Sequence, residues 1–297
     1  MSFEKIRAEK VKEIETLLEK MLPKIEGPQA KVIEAMHYSV MAGGKRLRPM
    51  LLKEASLLYG QTCEGVEEFM AALEFIHTYS LIHDDLPAMD NDEYRRGRKT
   101  THVVFGEDLA ILAGDALLNY AYETAAGAVM KYPQNTGVAR ALAILAKKAG
   151  IFGMVGGQSA DVLNENRKEP LSLDEILFIH ENKTAALIEC ALMCGSLLGG
   201  ADAEQAERME KAGSAIGLAF QIQDDILDAE GTFEELGKPI GSDEKNQKTT
   251  YLSLMGKEQA QMKVKELTEE AVAILQEGEN RNPFLEELVL SLITRRS

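Results

Sequence analysis

The sequence predicts an all-α protein, a bundle of about ten helices forming one domain over residues 1–297, and three observations carry that expectation. Apolar residues recur at helical spacing along nearly the whole chain. Strand-like alternation is nearly absent. The prolines, at 23, 28, 49, 87, 133, 170, 239 and 283, fall between periodic segments rather than within them, as helix punctuation does.

Taken in order, the first stripe is Ile14, Leu17, Leu18 and Met21, and a second runs through Leu73 and Ile76 to Ser80. Pro170, Ser172 and Glu175 form a capping box that predicts a long helix to about Leu198. Several stripes are apolar on more than one face, so those helices belong inside a bundle. The least helical stretch, GTFEELGKPIGSDEKNQK from Gly231 to Lys248, reads as a loop. No Ser/Gly-rich linker or low-complexity tract divides the chain.

Composition narrows the function classes. With 48 acidic and 33 basic residues, the net charge of −15 repels nucleic acid and acidic membrane surfaces. Cys63, Cys190 and Cys194 are too few for a disulfide framework and lack partners at zinc-ligand spacing, so they read as reduced. MSFEKIRAEK has no apolar core, so no signal peptide is expected. Glu189 interrupts the best apolar run, so no stable membrane insertion is expected, and the location expected is cytoplasmic.

Against this background, HDDLPAMDNDEYRRGR (83–98) segregates its charges: Asp84, Asp85, Asp90, Asp92 and Glu93 precede Arg95, Arg96 and Arg98. A solvated helix would intersperse the signs to form local ion pairs. A second segment, AFQIQDDILD, repeats the pattern of an apolar approach followed by paired aspartates. On a helix Asp224 and Asp228 share a face, roughly 6 Å apart along the axis, with Asp225 offset. In the first segment Pro87 stands between Asp84 and Asp90, and a proline-induced reversal would swing Asp90 back. One such segment alone fits a solvated acidic turn. Two emerging from apolar runs favour a cation site, and oxygen-only ligands suit Mg²⁺ bridging to phosphates.

The bases supply a complement. GGKRLRP concentrates Lys45, Arg46 and Arg48 at a helix start, where free amides also favour anions. Lys183, Lys238 and Lys248 lie in NKT, LGKPIG and QKTTY contexts, beside glycines or hydroxyls that help hold phosphate oxygens. Together these residues describe a pocket for two anionic substrates.

The ordered set GGKRLRP, HTYSLIHDDLPAMDNDEYRRG, GGQSAD, KTAALI, AFQIQDDILD and LGKPIGSDEKNQKTTY resembles the short-chain trans-isoprenyl diphosphate synthases, especially the bacterial farnesyl diphosphate synthases, over nearly the whole chain. The resemblance implies helices around a central active-site cavity, a homodimer, and head-to-tail condensation of isopentenyl diphosphate with dimethylallyl and geranyl diphosphate. Carried over by motif, Asp84, Asp90 and Asp224 would ligate Mg²⁺, with Asp85, Asp225 and Asp228 in support. Lys45, Arg48, His77 and Arg96 would hold isopentenyl diphosphate. Arg95, Lys183, Thr184, Gln221 and Lys238 would hold the allylic diphosphate, with Lys248 adding charge. Catalysis would fall to Arg95, Lys183 and Lys238, whose positive charge stabilises the leaving diphosphate. No protein base stands out, and the released diphosphate is the expected proton acceptor.

Tyr79 and Ser80 precede Asp84 by about one helical turn and should lie deeper than the metal site. A bulky Tyr79 there implies, in this family, a fifteen-carbon product. The alternatives are a geranylgeranyl diphosphate synthase and a noncatalytic subunit of the same fold. Gln158 and Asp161, in GGQSAD, read equally well as pocket lining and as ordinary buried contacts. Lys99 and Ala185 depart from the family's usual proline and glycine without removing a proposed ligand.

Overall fold

A computed structural model describes residues 2–60, 64–165, 167, 169–230 and 249–293. Four helices, α1 (Phe3–Met21), α2 (Ala30–Val40), α3 (Leu47–Ser56) and α4 (Val66–Asp84), lead into a hairpin of β1 (Tyr94–Arg95) and β2 (Arg98–Lys99). Then come α5 (Thr101–Phe105), α6 (Glu107–Lys131), α7 (Thr136–Ala149), α8 (Met154–Glu165) and α9 (Leu173–Ile179). A π-helical turn, His180–Ala185, joins α9 to α10 (Ala186–Gly199), and α11 (Ala203–Glu230) follows. The remaining described helices are α12 (Tyr251–Met255), α13 (Lys257–Gln276) and α14 (Pro283–Ile293). The all-α expectation holds, and the helices beyond the expected ten include the short α5, α9 and α12.

Every residue of α10 is buried, which is what its all-round apolar composition demands. Its Gly195 and Gly199 lie one turn apart, where a Cβ would collide with the Leu52 and Ser56 carbonyl oxygens of α3. Small residues there let the two backbones touch. The one acid in α10, Glu189, is neutralised by Lys148 of α7, which also reaches Glu210 of α11 at 2.5 Å. Beside this centre, α4 presents Phe69, Leu73, Phe75 and Ile76, all fully buried, and packs along α6, whose Ala110, Ala113, Ala121 and Ala125 are likewise fully buried. Each large side chain so buried contributes about 2 kcal/mol of hydrophobic stabilisation.

The capping box at Ser172 is present in full: Glu175 N donates to Ser172 Oγ at 3.3 Å, and Ser172 N to Glu175 Oε2 at 2.8 Å. The helical path it opens runs to Gly199, one residue past the expected Leu198, but with the π turn inside it. Gly200, at φ 108°, ends the run in the left-handed cap that glycine favours. No described helix is long and apolar enough to cross a membrane.

Candidate active site

The first acidic segment sits where α4 stops. Pro87 follows that end, and the chain reverses over it, so that Asp90 N donates to the Asp84 carbonyl at 2.9 Å. The reversal foreseen from Pro87 therefore returns Asp90 to Asp84. The Asp84 carboxyl is pushed up to about 6, by burial first, with Asp90 adding repulsion and Lys183 opposing it. Such a carboxyl is short of positive charge.

Asp85 does something else. It is 4% exposed and accepts from Arg95 Nε at 2.7 Å and Nη2 at 2.5 Å. That pairing anchors a two-residue hairpin loop, Arg96 at φ 53° and Gly97 at φ 73°, a left-handed pair that matches strand twist. The turn sends the Arg96 guanidinium to the Gly43 carbonyl. Gly44 makes room, since a Cβ there would stand 2.7 Å from Arg96 Cζ. The two basic clusters, far apart in sequence, thus meet.

Within GGKRLRP the bases divide. Arg46 is 2% exposed and donates to Glu74 at 2.8 Å and to the Val40 carbonyl at 2.7 Å, so it ties α3 to α4 and α2. Arg48 lines the main cavity, its guanidinium lowered to about 10 by burial, against Glu74, with Arg96 adding to the depression. Lys45 is exposed beside them. His77, on the same cavity wall, is held well below the ordinary imidazole range by burial and then by Arg48, Arg96, Arg95 and Arg46. It is a neutral ring among cations.

The second acidic segment lies on uninterrupted α11. Asp224 and Asp228 are half-buried on one face. Asp225 is 6% exposed and accepts from Tyr251 N at 3.1 Å, fixing the start of α12. Gln221 donates to Asp225 at 3.5 Å and accepts from Thr184 Oγ1 at 3.1 Å. Lys183, on the π turn, reaches Asp161 at 2.6 Å. Lys238 and Lys248 lie outside the described residues.

Residues of α3, α4, α8 and the π turn line a cavity of about 580 Å³. Arg48, His77, Asp84 and Lys183 supply its polar wall, while Tyr79, Met154, Val162 and Leu163 make it apolar elsewhere. Tyr79 and Ser80 also line it, and burial pushes the Tyr79 phenol up to about 12. A smaller space of about 130 Å³ shares Lys183 and Thr184 and adds Gln221, Asp225 and Thr250. Seven expected site residues, Arg48, His77, Tyr79, Ser80, Asp84, Lys183 and Thr184, therefore face one volume. Sequence reasoning missed the π turn that presents Lys183 and Thr184, a rare backbone form concentrated at functional sites. It also left open the role of Gln158, which donates to Asp84 Oδ1 at 2.8 Å.

The residues fit a hard divalent cation: a half-buried carboxylate at Asp84 and a second acid, Asp90, returned to it by the Pro87 turn. Among the described residues no three His, Cys, Asp or Glu side chains converge into a metal cluster. A cation held here would need further oxygen ligands, from water or a phosphate.

A helical bundle whose main cavity is lined by acidic, basic and apolar side chains has the chemistry to hold a ligand that is anionic in one part and apolar in another. The chain belongs to the polyprenyl synthetase family, whose sequence model matches residues 29–287, and its activity class is that of a prenyltransferase. A farnesyl diphosphate synthase of Geobacillus stearothermophilus is 46% identical over 255 residues, 86% of this chain and 85% of that one. A geranylgeranyl diphosphate synthase of Cyanophora paradoxa is also 46% identical, over 87% of this chain and 85% of that one. Among solved structures, an apo FPP/GFPP synthase from Zymomonas mobilis superposes with a TM-score of 0.87 at 32% identity, covering 98% of this chain and 99% of that one. A geranyltransferase from Helicobacter pylori, complexed with magnesium and isoprenyl diphosphate, gives 0.81 at 31% identity, covering 99% of this chain and 97% of that one.

Proposed function

We propose that this single-domain chain is a Mg²⁺-dependent farnesyl diphosphate synthase, condensing isopentenyl diphosphate with dimethylallyl and then geranyl diphosphate, and working as a cytoplasmic homodimer. The observation that carries the reading is the single cavity lined by Asp84, Lys183, Arg48 and His77 together with Tyr79 and apolar side chains. The magnesium and isoprenyl diphosphate of the Helicobacter pylori relative support the same ligands here.

Asp84, Asp90 and Asp224 are the proposed metal ligands. Bound Mg²⁺ would supply positive charge to the leaving diphosphate. Lys183 and Arg95, with Lys238 beyond the described residues, add fixed cations around that leaving group, where preorganised charge lowers the barrier to breaking the allylic carbon–oxygen bond. Thr184, hydrogen-bonded to Gln221, orients the same head group, and Lys248 adds charge. Arg48, Arg96, Lys45 and neutral His77 hold isopentenyl diphosphate, so that its alkene lies beside the nascent cation and needs no chance encounter. A proton then leaves the condensed carbocation for the released diphosphate.

Relatives at equal identity carry farnesyl and geranylgeranyl names, so product length rests on Tyr79. Its buried ring lines the cavity from α4, about one turn before Asp84 in the helix, and supports a fifteen-carbon limit. Incubation with isopentenyl diphosphate and either allylic starter, with and without Mg²⁺, followed by chromatographic sizing, should give farnesyl diphosphate with the metal only. Absence of condensation in every combination overturns the enzyme reading, and a twenty-carbon main product overturns the farnesyl assignment. Tyr79→Ala should shift the product toward twenty carbons; an unchanged product means that the floor lies elsewhere.

A further inference from the structure

The GGQSAD segment belongs to neither the paired acids nor the basic clusters, yet α8 touches both walls of the site. Gln158 donates to Asp84 Oδ1 at 2.8 Å, and Asp161, 4% exposed, accepts from Lys183 Nζ at 2.6 Å. Three residues apart, they project from one face of α8. Of the two ends of an amide side chain, only the NH₂ can donate to a carboxylate, so Asp84 fixes which way Gln158 faces. The other end, Gln158 Oε1, is buried and accepts no hydrogen bond from any described residue.

The backbone of α8 is seated equally firmly. A Cβ on Gly157 would collide with the backbone nitrogen of Lys183, so α8 and the π turn meet in direct backbone contact. From that seat, Asp161 engages the lysine ammonium while Gln158 engages the aspartate. Lys183 is the strongest attractive charge acting on Asp84. A lysine ammonium rides on a flexible four-carbon stem. Without a carboxylate of its own it would swing onto Asp84 and occupy the oxygen that a divalent cation needs.

We propose that Gln158 and Asp161 are positioning residues: Gln158 fixes the Asp84 carboxylate, Asp161 holds Lys183 apart from it, and α8 thereby sets the gap that a metal-bound diphosphate enters. The inference rests on the diphosphate-transfer reading above. Partners that orient metal ligands from behind typically change metal affinity by about 10- to 100-fold when removed.

The test uses the full chain as wild type, Gln158→Leu and Asp161→Asn. Condensation is measured over a range of Mg²⁺ with both diphosphates saturating, and Mg²⁺ binding is measured by calorimetry in the presence of inorganic diphosphate. Both variants should need about tenfold more Mg²⁺ by both readouts, with the KM for isopentenyl diphosphate changed less than twofold. Asp161→Glu, which restores a carboxylate, should recover most of the loss. Packing alone would lower thermal stability and kcat without moving the Mg²⁺ requirement, and that result in both variants overturns the positioning role. If one variant fails to fold, the other decides. A wild-type protein that neither condenses the substrates nor binds Mg²⁺ with diphosphate instead sinks the diphosphate reading, and this inference with it.

Discussion

The two aspartate-rich segments begin alike and are built differently. Near Asp84 the helix ends, Pro87 reverses the chain, and Asp90 returns through its backbone N–H. Near Asp224 the helix continues, and Asp228 shares a face with Asp224 through regular geometry alone. In each pair, however, the second aspartate is the buried one and holds scaffold: Asp85 grips Arg95 of the hairpin, and Asp225 grips the backbone at Tyr251. The first segment thus couples acids to the basic clusters, while the second couples acids to the chain that follows Thr249. The doubled aspartate thus has one carboxylate in the frame, and the neighbour is the one proposed above for the chemistry.

Substitutions can break that division. Asp84→Asn should reduce condensation by about 10²–10³-fold, the range seen when one preplaced electrostatic group is removed from a reaction centre. Because burial disfavours the charged Asp84, the variant should unfold at an equal or higher temperature than wild type in metal-free buffer. A large fall in melting temperature would mean that Asp84 serves the frame instead. Asp85→Asn should do the reverse. It removes Arg95's closer charged partner and leaves Asp92 at 3.8 Å, and since Arg95 is about a third exposed the cost should be about 2 kcal/mol in urea unfolding, below the range for a fully buried pair. Asp225→Asn keeps an oxygen for Tyr251 N and should cost about 1 kcal/mol, the value of one charge-assisted hydrogen bond weakened to a neutral one. If Asp85→Asn and Asp225→Asn leave stability untouched while removing activity, both pairs act wholly as ligands and the comparison fails.

How much of this was legible in the sequence follows from the distance over which each feature is determined. The Ser172–Glu175 capping box is complete within four residues, and the Pro87 reversal within seven, so both could be read directly. The separation of Arg46 from Arg48 could not. It depends on Glu74 of α4 and on a left-handed Arg46 at φ 48°, neither marked by GGKRLRP. The π turn was equally hidden, because it coincides with close packing of α8 at Gly157 and of α11 at Gly217, where a Cβ would collide with Ala185. Asp85 and Asp225 were expected to support the metal, and their scaffold bonds come from partners that a one-chain pattern does not pair. Local motifs name the candidate residues; which side chain of each motif faces the cavity depends on tertiary contacts.

The smallest expected effect concerns His77, which belongs to the first segment's cationic side. Arg48, Arg96, Arg95 and Arg46 all oppose its protonation, after burial, so the folded protein keeps the ring neutral well below the usual imidazole value of 6.5. An unfolded chain has no such constraint and takes up a proton near that value. Since the unfolded state then binds more protons than the folded one, stability is fully present above pH 6.5 and falls as pH drops below it. The slope from this one group approaches about 1.4 kcal/mol per pH unit. His77→Gln should remove that slope between pH 6.5 and 5.5, seen as a smaller difference between urea midpoints at the two pH values than in wild type. Equal differences in the two proteins would show that the imidazole is protonated in the fold, and the anion-binding wall would then carry one more charge than proposed.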